Sequence, residues 1–483
     1  MSIDTKVHLL KRRRTKIVAT IGPSSKDPET IKKLIENGAN VFRLNMSHGD
    51  HEFHKTSFNH IRNIAEELSV PIAILADLCG PKIRTGNFRD GQIDLVDGSK
   101  VTVTTRDVMG EEGLIPSQYT TLADDVKAGE RILLNDGALE LVVDSVSGTE
   151  ISCTVMHGGV LKNHKGINLP GVNVSAPSLT EKDKVDAEFA LNLGVDFLAL
   201  SFVRTASDVQ ELKSLIKKSG KDVAVIAKIE KPEALANASE ILDVADGIMV
   251  ARGDLGVELN PEEVPVAQSQ LIDLAKAKFK PVIVATQMLE SMIEHARPTR
   301  AEVTDISYAV TLGTDAVMLS AETAAGAFPV EAVNMMDRIA RQTESYLWQT
   351  GSYDITSNSK NNSPISIWDA ISDTTAQLAK DLMVRAIIVI SQSGMSAATM
   401  SSARPSAPVV AITGRPHICR RMVLFWSIIP VLAKDAGSMN PYDLARRVAL
   451  ESKLAEKGEY VLMVRGFHSK PEQNIPTVTV LSV

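Results

Sequence analysis

Charged and polar side chains follow short apolar runs at several places in the first two thirds of the chain. Lys228 and Glu230 end the run VAVIAKIE, Gly253 and Asp254 end GIMVARGD, and Thr286 lies in PVIVATQM. A charged group beside a buried strand is costly unless it is paired. We therefore expect these side chains to meet at one shared site rather than to stabilise separate strands.

The residue types suit the binding of a divalent cation and of a charged group that is transferred. Two carboxylates with open positions suit Mg²⁺, with Mn²⁺ as the alternative ion, so we expect Glu230 and Asp254 to hold the metal. Lys228 alternates with Glu230 and points to the same side, and Arg43 in NVFRLNMS adds a second cation. No His/Cys cluster offers a zinc site. The set favours transfer chemistry governed by positioning and charge.

These residues need a scaffold that brings the ends of many strands together. Eight β-rich apolar runs are each followed by a polar helical stretch, which is typical of a parallel sheet. Eight such units predict a closed (β/α)8 TIM barrel, with the chemistry at the carboxyl ends of the strands; an open doubly wound sheet is the structural alternative. The runs are residues 16–22, 40–47, 71–78, 196–203, 223–230, 247–254, 281–288 and 316–323.

The chain divides into three domains joined by short segments. More than a hundred residues separate the third and fourth runs, and turn dipeptides such as Asp97-Gly98 predict a small β-barrel lid there. A Ser/Asn-rich stretch later precedes a second α/β pattern. We expect an N-terminal segment at 1–14, the barrel at 15–80 and 179–348, the lid at 81–178, a linker at 349–364 and a C-terminal α/β effector-binding domain at 365–483.

Composition narrows the class of protein. The chain has 483 residues, 44% of them hydrophobic and 23% charged, which is the balance of a globular protein. Its formal net charge of -7 disfavours nucleic acid as a partner. No apolar run approaches the roughly 18 residues of a membrane span, and three widely spaced cysteines argue against a disulfide framework. We expect a cytoplasmic protein that binds neither nucleic acid nor a membrane.

The motifs around these residues closely resemble those of pyruvate kinases. Over about residues 15–345 they read, in order, RRTKIVATIGPSS, NVFRLNMSHG, GPKIRTG, GINLPG, AKIEKPEAL, MVARGDLGVE, ATQMLESMI, RPTRAEVTDI and MLSAETAAG. The C-terminal part resembles the regulatory domain of that family more loosely. The resemblance implies a barrel with a β lid after the third strand, a homotetramer, and phosphoryl transfer from phosphoenolpyruvate to ADP, giving ATP and pyruvate in glycolysis.

The resemblance also implies roles for individual residues. Arg43 would hold the transferring phosphoryl group, and Lys228 would stabilise its charge and that of the developing enolate. Gly253, Asp254 and Thr286 would bind the substrate carboxylate, and Thr286 or a water beside it would help to protonate the enolate. Glu230 and Asp254 match the metal ligands of the family. The residues that resemble its nucleotide-phosphate contacts are Asn45, His48, Arg84 and Lys165.

The stretch ILADLCGPKIRTG departs from the pattern of many family members. Those members bind K⁺ through Asn, Ser, Asp and Thr oxygens; here Asn45, Ser47 and Asp77 match, but Leu78 replaces the Thr and Lys82 replaces a nearby Glu. Two like charges about 4 Å apart repel by about 4 kcal/mol at an effective dielectric of 20. We expect the Lys82 ammonium to substitute for K⁺, so that K⁺ is not required. The alternative, compatible with it, is that Lys82 pairs with Asp77.

A second Gly-containing loop lies in the C-terminal domain. The stretch SQSGMSAAT follows a strand and opens a helix, and a hydroxyl-rich loop at a helix N-terminus can bind a phosphate. The alternative is a helix N-cap with ordinary turn serines. The resemblance favours a sugar-phosphate allosteric effector, a monophosphate being as plausible as a bisphosphate. The residues concerned are Ser391, Ser393, Gly394 and Ser396.

Two other functions fit parts of this pattern. The first is a different Mg²⁺-dependent barrel enzyme that acts on an enol or enolate, such as a lyase, an aldolase or a phosphomutase. Such an enzyme would need no nucleotide lid, so dependence on ADP separates the two. The second is a non-catalytic sensor, which predicts a damaged barrel rim. Lys228, Glu230, Asp254 and Thr286 are all present, which argues against it.

Overall fold

A computed structural model describes residues 13–172, 174–351, 365–468 and 473–483. Before the lid lie the strands β1 (Lys16–Ile21), β2 (Val41–Asn45) and β3 (Ala73–Asp77), with the helices α1 (Pro28–Glu36) and α2 (His51–Glu67). The lid contains β4 (Gln92–Leu95), β5 (Lys100–Thr104), β6 (Leu114–Pro116), α3 (Leu122–Asp125), β7 (Arg131–Leu134), β8 (Leu139–Ser147), β9 (Glu150–His157), β10 (Gly159–Lys162) and β11 (Ile167–Asn168).

After the lid the alternation of strand and helix resumes. The strands are β12 (Phe197–Leu200), β13 (Ala224–Ile229), β14 (Gly247–Ala251), β15 (Val282–Ala285) and β16 (Ala316–Leu319). The helices are α4 (Glu181–Leu193), α5 (Ala206–Lys218), α6 (Pro232–Ala236), α7 (Ala238–Val244), α8 (Arg252–Glu258), α9 (Val264–Ala277), α10 (Arg300–Thr311), α11 (Ala321–Ala324) and α12 (Pro329–Gln349). Two 3-10 turns, Pro261–Glu263 and Glu290–Ile293, complete this part.

The eight predicted strands close into a parallel barrel, which confirms the predicted fold class. Their order around the ring is β1-β16-β15-β14-β13-β12-β3-β2. Alternate residues face opposite sides: Ile17 and Ala19 pack against the helices, whereas Val18 packs inside the ring. Burial on both faces explains why the strands read as continuous apolar runs. The predicted capping box also forms, because Thr180 and Asp183 bond each other's backbone N–H at the start of α4.

The inserted segment folds as a curled β lid with a core of its own. Its strands form a six-stranded sheet, β11-β7-β8-β9-β5-β6, and a two-stranded sheet, β10-β4. Asp136 and Gly137, at the predicted turn between β7 and β8, have φ angles of 57° and 85°, which fits the left-handed backbone of a tight hairpin turn. Twenty buried hydrophobic residues, from Phe88 to Val172, form the lid core.

The C-terminal domain is a five-stranded α/β sheet, as predicted. Its strands are β17 (Ile387–Ile390), β18 (Val409–Thr413), β19 (Ile428–Leu432), β20 (Tyr460–Arg465) and β21 (Thr477–Ser482), in the order β19-β18-β17-β20-β21. Only the β20–β21 pair is antiparallel. The helices are α13 (Ile367–Asp381), α14 (Met395–Ser402), α15 (Pro416–Met422) and α16 (Pro441–Glu451). Most of the predicted N-terminal segment and linker, residues 1–12 and 352–364, lie outside the described residues.

The segment after α15 joins the C-terminal domain to the floor of the barrel. Leu424 is fully buried and belongs to the hydrophobic cluster inside the ring, together with Val18 and Met318. Asp315 accepts hydrogen bonds from the Trp426 backbone N–H at 3.0 Å and from Arg404 at 3.0 Å. Thus the side chain of one domain fills the N-terminal mouth of the other. Among the described residues, no helix combines the length and apolar character needed to cross a membrane.

Candidate active site

Four charged side chains form a buried cluster at the carboxyl ends of β2, β3 and β13. Arg43 Nε donates to Asp77 Oδ2 at 2.6 Å. Lys228 Nζ lies 3.3 Å from Asp77 Oδ1 and 3.0 Å from Glu230 Oε1. The side chains of Asp77 and Glu230 are each 1% exposed, and that of Lys228 is 11% exposed. Arg43 lies 34 residues before Asp77 and 187 before Glu230 in the sequence. They come together because the strand ends meet at one rim of the barrel.

The cluster keeps its cation and its central carboxylate charged. Burial lowers the pKa of Lys228, but the carboxylates of Asp77 and Glu230 raise it by more, so the net pKa lies well above its ordinary value. Burial raises the pKa of Asp77, yet the charges of Lys228 and Arg43 lower it below its usual range. Both groups are therefore ionised at neutral pH, and Lys228 presents a permanent positive charge.

The environment of Glu230 suits a divalent cation. Its Oε2 accepts the Phe202 backbone N–H at 2.7 Å, and its buried Oε1 lies 3.0 Å from Lys228 Nζ. Burial raises the pKa of Glu230; Lys228 lowers it and the Asp254 carboxylate raises it again, with a net upward direction. A cation held by both carboxylates would relieve that repulsion. The described residues contain no group of three His, Cys, Asp or Glu placed as metal ligands, and Mg²⁺ needs only one or two protein carboxylates.

Ser201 is a site residue that sequence reasoning missed. Its Oγ accepts a hydrogen bond from Lys228 Nζ at 2.7 Å and donates one to the Leu78 carbonyl at 2.7 Å. The only signal was its position directly after the apolar run of β12, which holds for many serines. Ser201 fixes the direction of the Lys228 ammonium because that group now has three partners on different strands.

Thr286 and Gly253 are brought together across β14 and β15. The Gly253 N–H donates to Thr286 Oγ1 at 2.7 Å, and Thr286 has a φ of 72°. A positive φ is costly for a β-branched residue and marks a position that its surroundings determine. Arg252 points away from the cluster: it bonds the Thr286 carbonyl at 2.9 Å and Asp305 at 2.6 Å, so it supports the turn.

The other predicted contact residues lie where the lid meets the barrel. Arg84 donates to the His164 carbonyl at 3.1 Å, and Thr85 exchanges backbone and side-chain hydrogen bonds with Lys165. Burial lowers the pKa of His48, and the charges of Lys82, Arg84 and Arg43 lower it further, so these cations surround it. The cleft between the two domains is lined on the lid side by Asp136 and Gly166, and on the barrel side by Asp254, Phe202 and Lys231.

Comparison with known proteins identifies the family. Residues 12–333 match the family model for the pyruvate kinase barrel domain, and residues 369–481 match that for its alpha/beta domain. The chain belongs to the pyruvate kinase family. It is 46% identical over 459 residues to pyruvate kinase 2 of Synechocystis sp., covering 94% of this chain and 76% of that protein. It is also 46% identical over 462 residues to pyruvate kinase of Geobacillus stearothermophilus, covering 94% and 78%.

A solved structure of the family matches almost the entire chain. The crystal structure of a pyruvate kinase from Cryptosporidium parvum superposes with a TM-score of 0.90 at 35% identity, covering 99% of this chain and 98% of that one. The barrel, the inserted lid and the C-terminal domain are therefore those of the family, and the chain is an enzyme, a phosphotransferase.

The residues predicted for the monovalent-cation site already take part in several hydrogen bonds and ion pairs. Asn45 Oδ1 accepts the Ser47 backbone N–H at 3.1 Å. Both Asp77 oxygens face Arg43 and Lys228, and the Leu78 carbonyl accepts Ser201 Oγ–H. Lys82 is exposed, and among the described residues its ammonium forms no ion pair. The alternative expectation, a pair between Lys82 and Asp77, is not what the structure contains.

The predicted effector loop joins β17 to α14 and bonds to itself. Ser391 Oγ accepts the Gly394 N–H at 3.0 Å, and Ser393 Oγ accepts the Met395 N–H at 3.4 Å. Gly394 has a φ of 89° and directly precedes the helix. Ser391 and Ser396 are buried. The N-cap residue of α14 is thus Gly394 and not a serine, and among the described residues no side chain caps the helix. Ser393 lies at the surface.

Proposed function

We propose that the protein transfers the phosphoryl group of phosphoenolpyruvate to ADP, giving ATP and pyruvate, and that it does so in glycolysis. The buried cluster of Arg43, Asp77, Lys228 and Glu230 carries this proposal, because it holds two fixed cations beside the Glu230 carboxylate at the barrel rim. Phosphoryl transfer depends mainly on positioning and charge stabilisation, which is what such a cluster supplies.

Each group at the rim has a part in this reaction. Arg43 binds the phosphoryl group, and Lys228 stabilises the charge on that group and on the enolate that forms when the P–O bond breaks. Glu230 and Asp254 hold Mg²⁺ or Mn²⁺, which neutralises phosphoryl charge when bound. Gly253, Asp254 and Thr286 bind the substrate carboxylate. The enolate carbon then takes a proton from Thr286 or from a water beside it, which completes pyruvate.

The nucleotide is bound between the lid and the barrel. Asn45, His48, Arg84 and Lys165 contact the phosphates of ADP, and the hydrogen bonds between residues 84–85 and 164–166 support this grouping. The lid closes over the cleft to exclude water, which would otherwise take the phosphoryl group.

The enzyme works without K⁺ in this proposal, because Lys82 supplies the missing positive charge. Its ammonium has no competing ion pair among the described residues, and its charge already lowers the pKa of His48, beside Asn45 and Ser47. Asp77 provides the negative side of that region. The flexible side chain can reach the monovalent site when substrate and nucleotide bind.

Three further features complete the proposal. A sugar phosphate binds Ser391, Ser393, Gly394 and Ser396 as an allosteric activator, supported by the Gly-initiated helix after β17. The enzyme is a cytoplasmic homotetramer, by likeness to the family. The barrel spans 15–80 and 179–348, the lid 81–178, and the C-terminal domain 365–483 after a linker at 349–364.

The test is pyruvate formation from phosphoenolpyruvate and ADP with Mg²⁺ in K⁺-free tetramethylammonium buffer, repeated with added KCl. Equal turnover in both buffers is the expected result. Turnover only with KCl would retain the reaction and overturn the role of Lys82. Turnover of phosphoenolpyruvate without ADP would point instead to a different Mg²⁺-dependent barrel enzyme.

A further inference from the structure

The loop between β12 and α5, residues 201–205, binds both connections between the lid and the barrel. Ser201 Oγ donates to the carbonyl of Leu78, just before the lid begins, at 2.7 Å. Where the chain returns from the lid, Ser178 Oγ donates to the Phe202 carbonyl at 2.8 Å. Neighbouring residues of one barrel loop therefore hold the segment that enters the lid and the segment that leaves it.

Arg204 of the same loop reaches further along the segment that leaves the lid. Its guanidinium donates to the carbonyls of Val174 and Ala176, to the latter at 2.9 Å. An N–H group of this segment bonds in the other direction, into the lid, because Ser175 N–H donates to Asp125 of α3 at 3.0 Å. The peptide group between Val174 and Ser175 thus connects Arg204 of the barrel with α3 of the lid.

The backbone of Arg204 is fixed on the barrel side. Its N–H donates to the Asp208 carboxylate in the first turn of α5 at 2.9 Å, and its carbonyl accepts the side-chain amide of Asn237 at 2.9 Å. A charged donor forms a stronger hydrogen bond than a neutral one, and the guanidinium presents its N–H groups in a rigid planar fork. Arg204 is therefore an anchored point of the barrel to which the lid is attached by two directed bonds.

The same loop also holds two charged groups of the rim. Ser201 Oγ accepts from Lys228 Nζ at 2.7 Å, and the Phe202 N–H donates to Glu230 Oε2 at 2.7 Å. Phe202 has a φ of 53°, which is uncommon for a bulky residue. A Cβ at Gly80 would lie 2.7 Å from Cδ2 of the Phe202 ring, so this packing requires glycine at the lid entry. A displacement of either lid connection would therefore disturb the residues that hold Lys228 and Glu230.

We propose that Arg204 is a positioning residue, which sets the position of the lid against the rim and thereby the affinity for the nucleotide. The inference rests on the proposed function, in which Arg84 and Lys165 of the lid bind nucleotide phosphates, whereas the barrel alone binds phosphoenolpyruvate. Loss of the Arg204 bonds should therefore weaken the binding of ADP much more than that of phosphoenolpyruvate. A merely structural role for Arg204 would lower stability without separating the two substrates.

The first test compares the steady-state kinetics of the full chain and its variants. Arg204→Met keeps the apolar stem and removes the donors, and its KM for ADP should rise about tenfold, because the lid then occupies its binding position only part of the time. The KM for phosphoenolpyruvate should stay within about twofold. Arg204→Lys keeps the charge but not the fork and should lie between. Arg338→Met, exposed on α12, should change neither KM. An unchanged KM for ADP in Arg204→Met, or an equal rise for both substrates, would overturn the proposal.

Hydrogen exchange without substrates separates this inference from the proposed reaction. The Gly80 N–H donates to the buried Asp183 at 3.1 Å and the Phe202 N–H to Glu230 at 2.7 Å, so both amides report opening where the lid joins the barrel. In Arg204→Met they should exchange about tenfold faster, whereas the amides of β8 and β9 in the lid should not change. Unchanged exchange at both amides, or faster exchange throughout the lid, would overturn the role of Arg204. A parent protein without turnover would overturn the proposed function, and the exchange comparison would still decide whether Arg204 holds the lid.

Discussion

Arg43 and Asp77 form a buried ion pair whose Nε–Oδ2 distance is 2.6 Å, and the second oxygen of Asp77 faces Lys228 at 3.3 Å. The Asp77 carboxylate thus lies between the two cations and fixes the orientation of each. Removing one partner of a buried pair leaves an uncompensated charge, which typically costs 3 to 5 kcal/mol. The orientation of both cations therefore depends on Asp77.

Asp77→Asn should lower kcat by about a hundredfold, since the two cations proposed to face the phosphoryl group lose the charge of their shared partner and repel each other. It should also lower the midpoint of thermal unfolding. Steady-state kinetics and calorimetry measure the two effects. Asp90→Asn, in an exposed lid position, is the matched control and should change neither. A kcat close to the parent value would show that Arg43 and Lys228 are positioned by other partners.

Ser201 acts as a positioning residue for Lys228 in this structure. Ser201→Ala removes the acceptor 2.7 Å from Lys228 Nζ but leaves Asp77 and Glu230 in place. We expect kcat to fall about tenfold with little change in the KM of phosphoenolpyruvate. A misdirected Lys228 charge stabilises the transition state less well, whereas it affects substrate binding little. Ser201→Thr should restore most of the rate. A change confined to KM, or the same loss in Ser214→Ala on the surface of α5, would contradict this role.

Lys82→Glu should make the enzyme dependent on K⁺. The substitution changes the local charge by two units and puts a carboxylate in place of the proposed cation, so an added monovalent ion gains an attractive partner. We expect turnover in tetramethylammonium buffer to fall at least tenfold and to recover with KCl. Lys127→Glu, an exposed lid lysine, should remain insensitive to KCl. Insensitivity of Lys82→Glu to KCl would refute the cation role.

Leu424→Ala should weaken the attachment of the C-terminal domain to the barrel. Leucine-to-alanine changes in a core cost about 2 to 5 kcal/mol through lost burial and the cavity that remains. Leu424 is fully buried inside the ring, whereas Leu450 on α16 is 40% exposed. Calorimetry should therefore show a lower midpoint for Leu424→Ala, and limited proteolysis should release the C-terminal domain sooner. Equal midpoints for Leu424→Ala and Leu450→Ala would contradict the packing role.

Glu344 gives a prediction about pH. Burial raises the pKa of Glu344, although the Thr15 and Arg14 backbone N–H groups, at 2.7 and 2.8 Å, oppose the shift. The folded state therefore binds this proton more tightly than the unfolded chain, so its contribution to stability is present below the ordinary pKa and is lost as pH rises through the raised one.

Glu344→Gln cannot titrate and should lack that loss. The difference in thermal midpoint, variant minus parent, is expected to increase as pH rises from about 4 to 7. Glu188→Gln, at an exposed position on α4, is the matched control for the loss of a carboxylate. A difference for Glu344→Gln that stays constant across this range would mean that the pKa of Glu344 is not raised in the fold.

Sequence patterns were sufficient for the barrel, the lid insertion and the C-terminal sheet because each depends on periodicity within one segment. The sequences of β13 and β14 are apolar runs because both faces of each strand are buried. The dipeptide Asp136-Gly137 is by itself enough to predict the turn found there. Lys228 and Glu230 were placed on one side of a strand by simple alternation. Residue types and order along the chain thus determined the fold class and most of the rim.

Only the tertiary structure decided which groups meet across strands. Closure of the ring brings Ser201 to Lys228 and Arg252 to the Thr286 carbonyl. Docking of the C-terminal domain places Leu424 in the barrel floor. These contacts carry no local signature, because a serine, an arginine or a leucine in such positions is ordinary in sequence. The partners are set by the register between strands and by packing over hundreds of residues, which no single segment specifies.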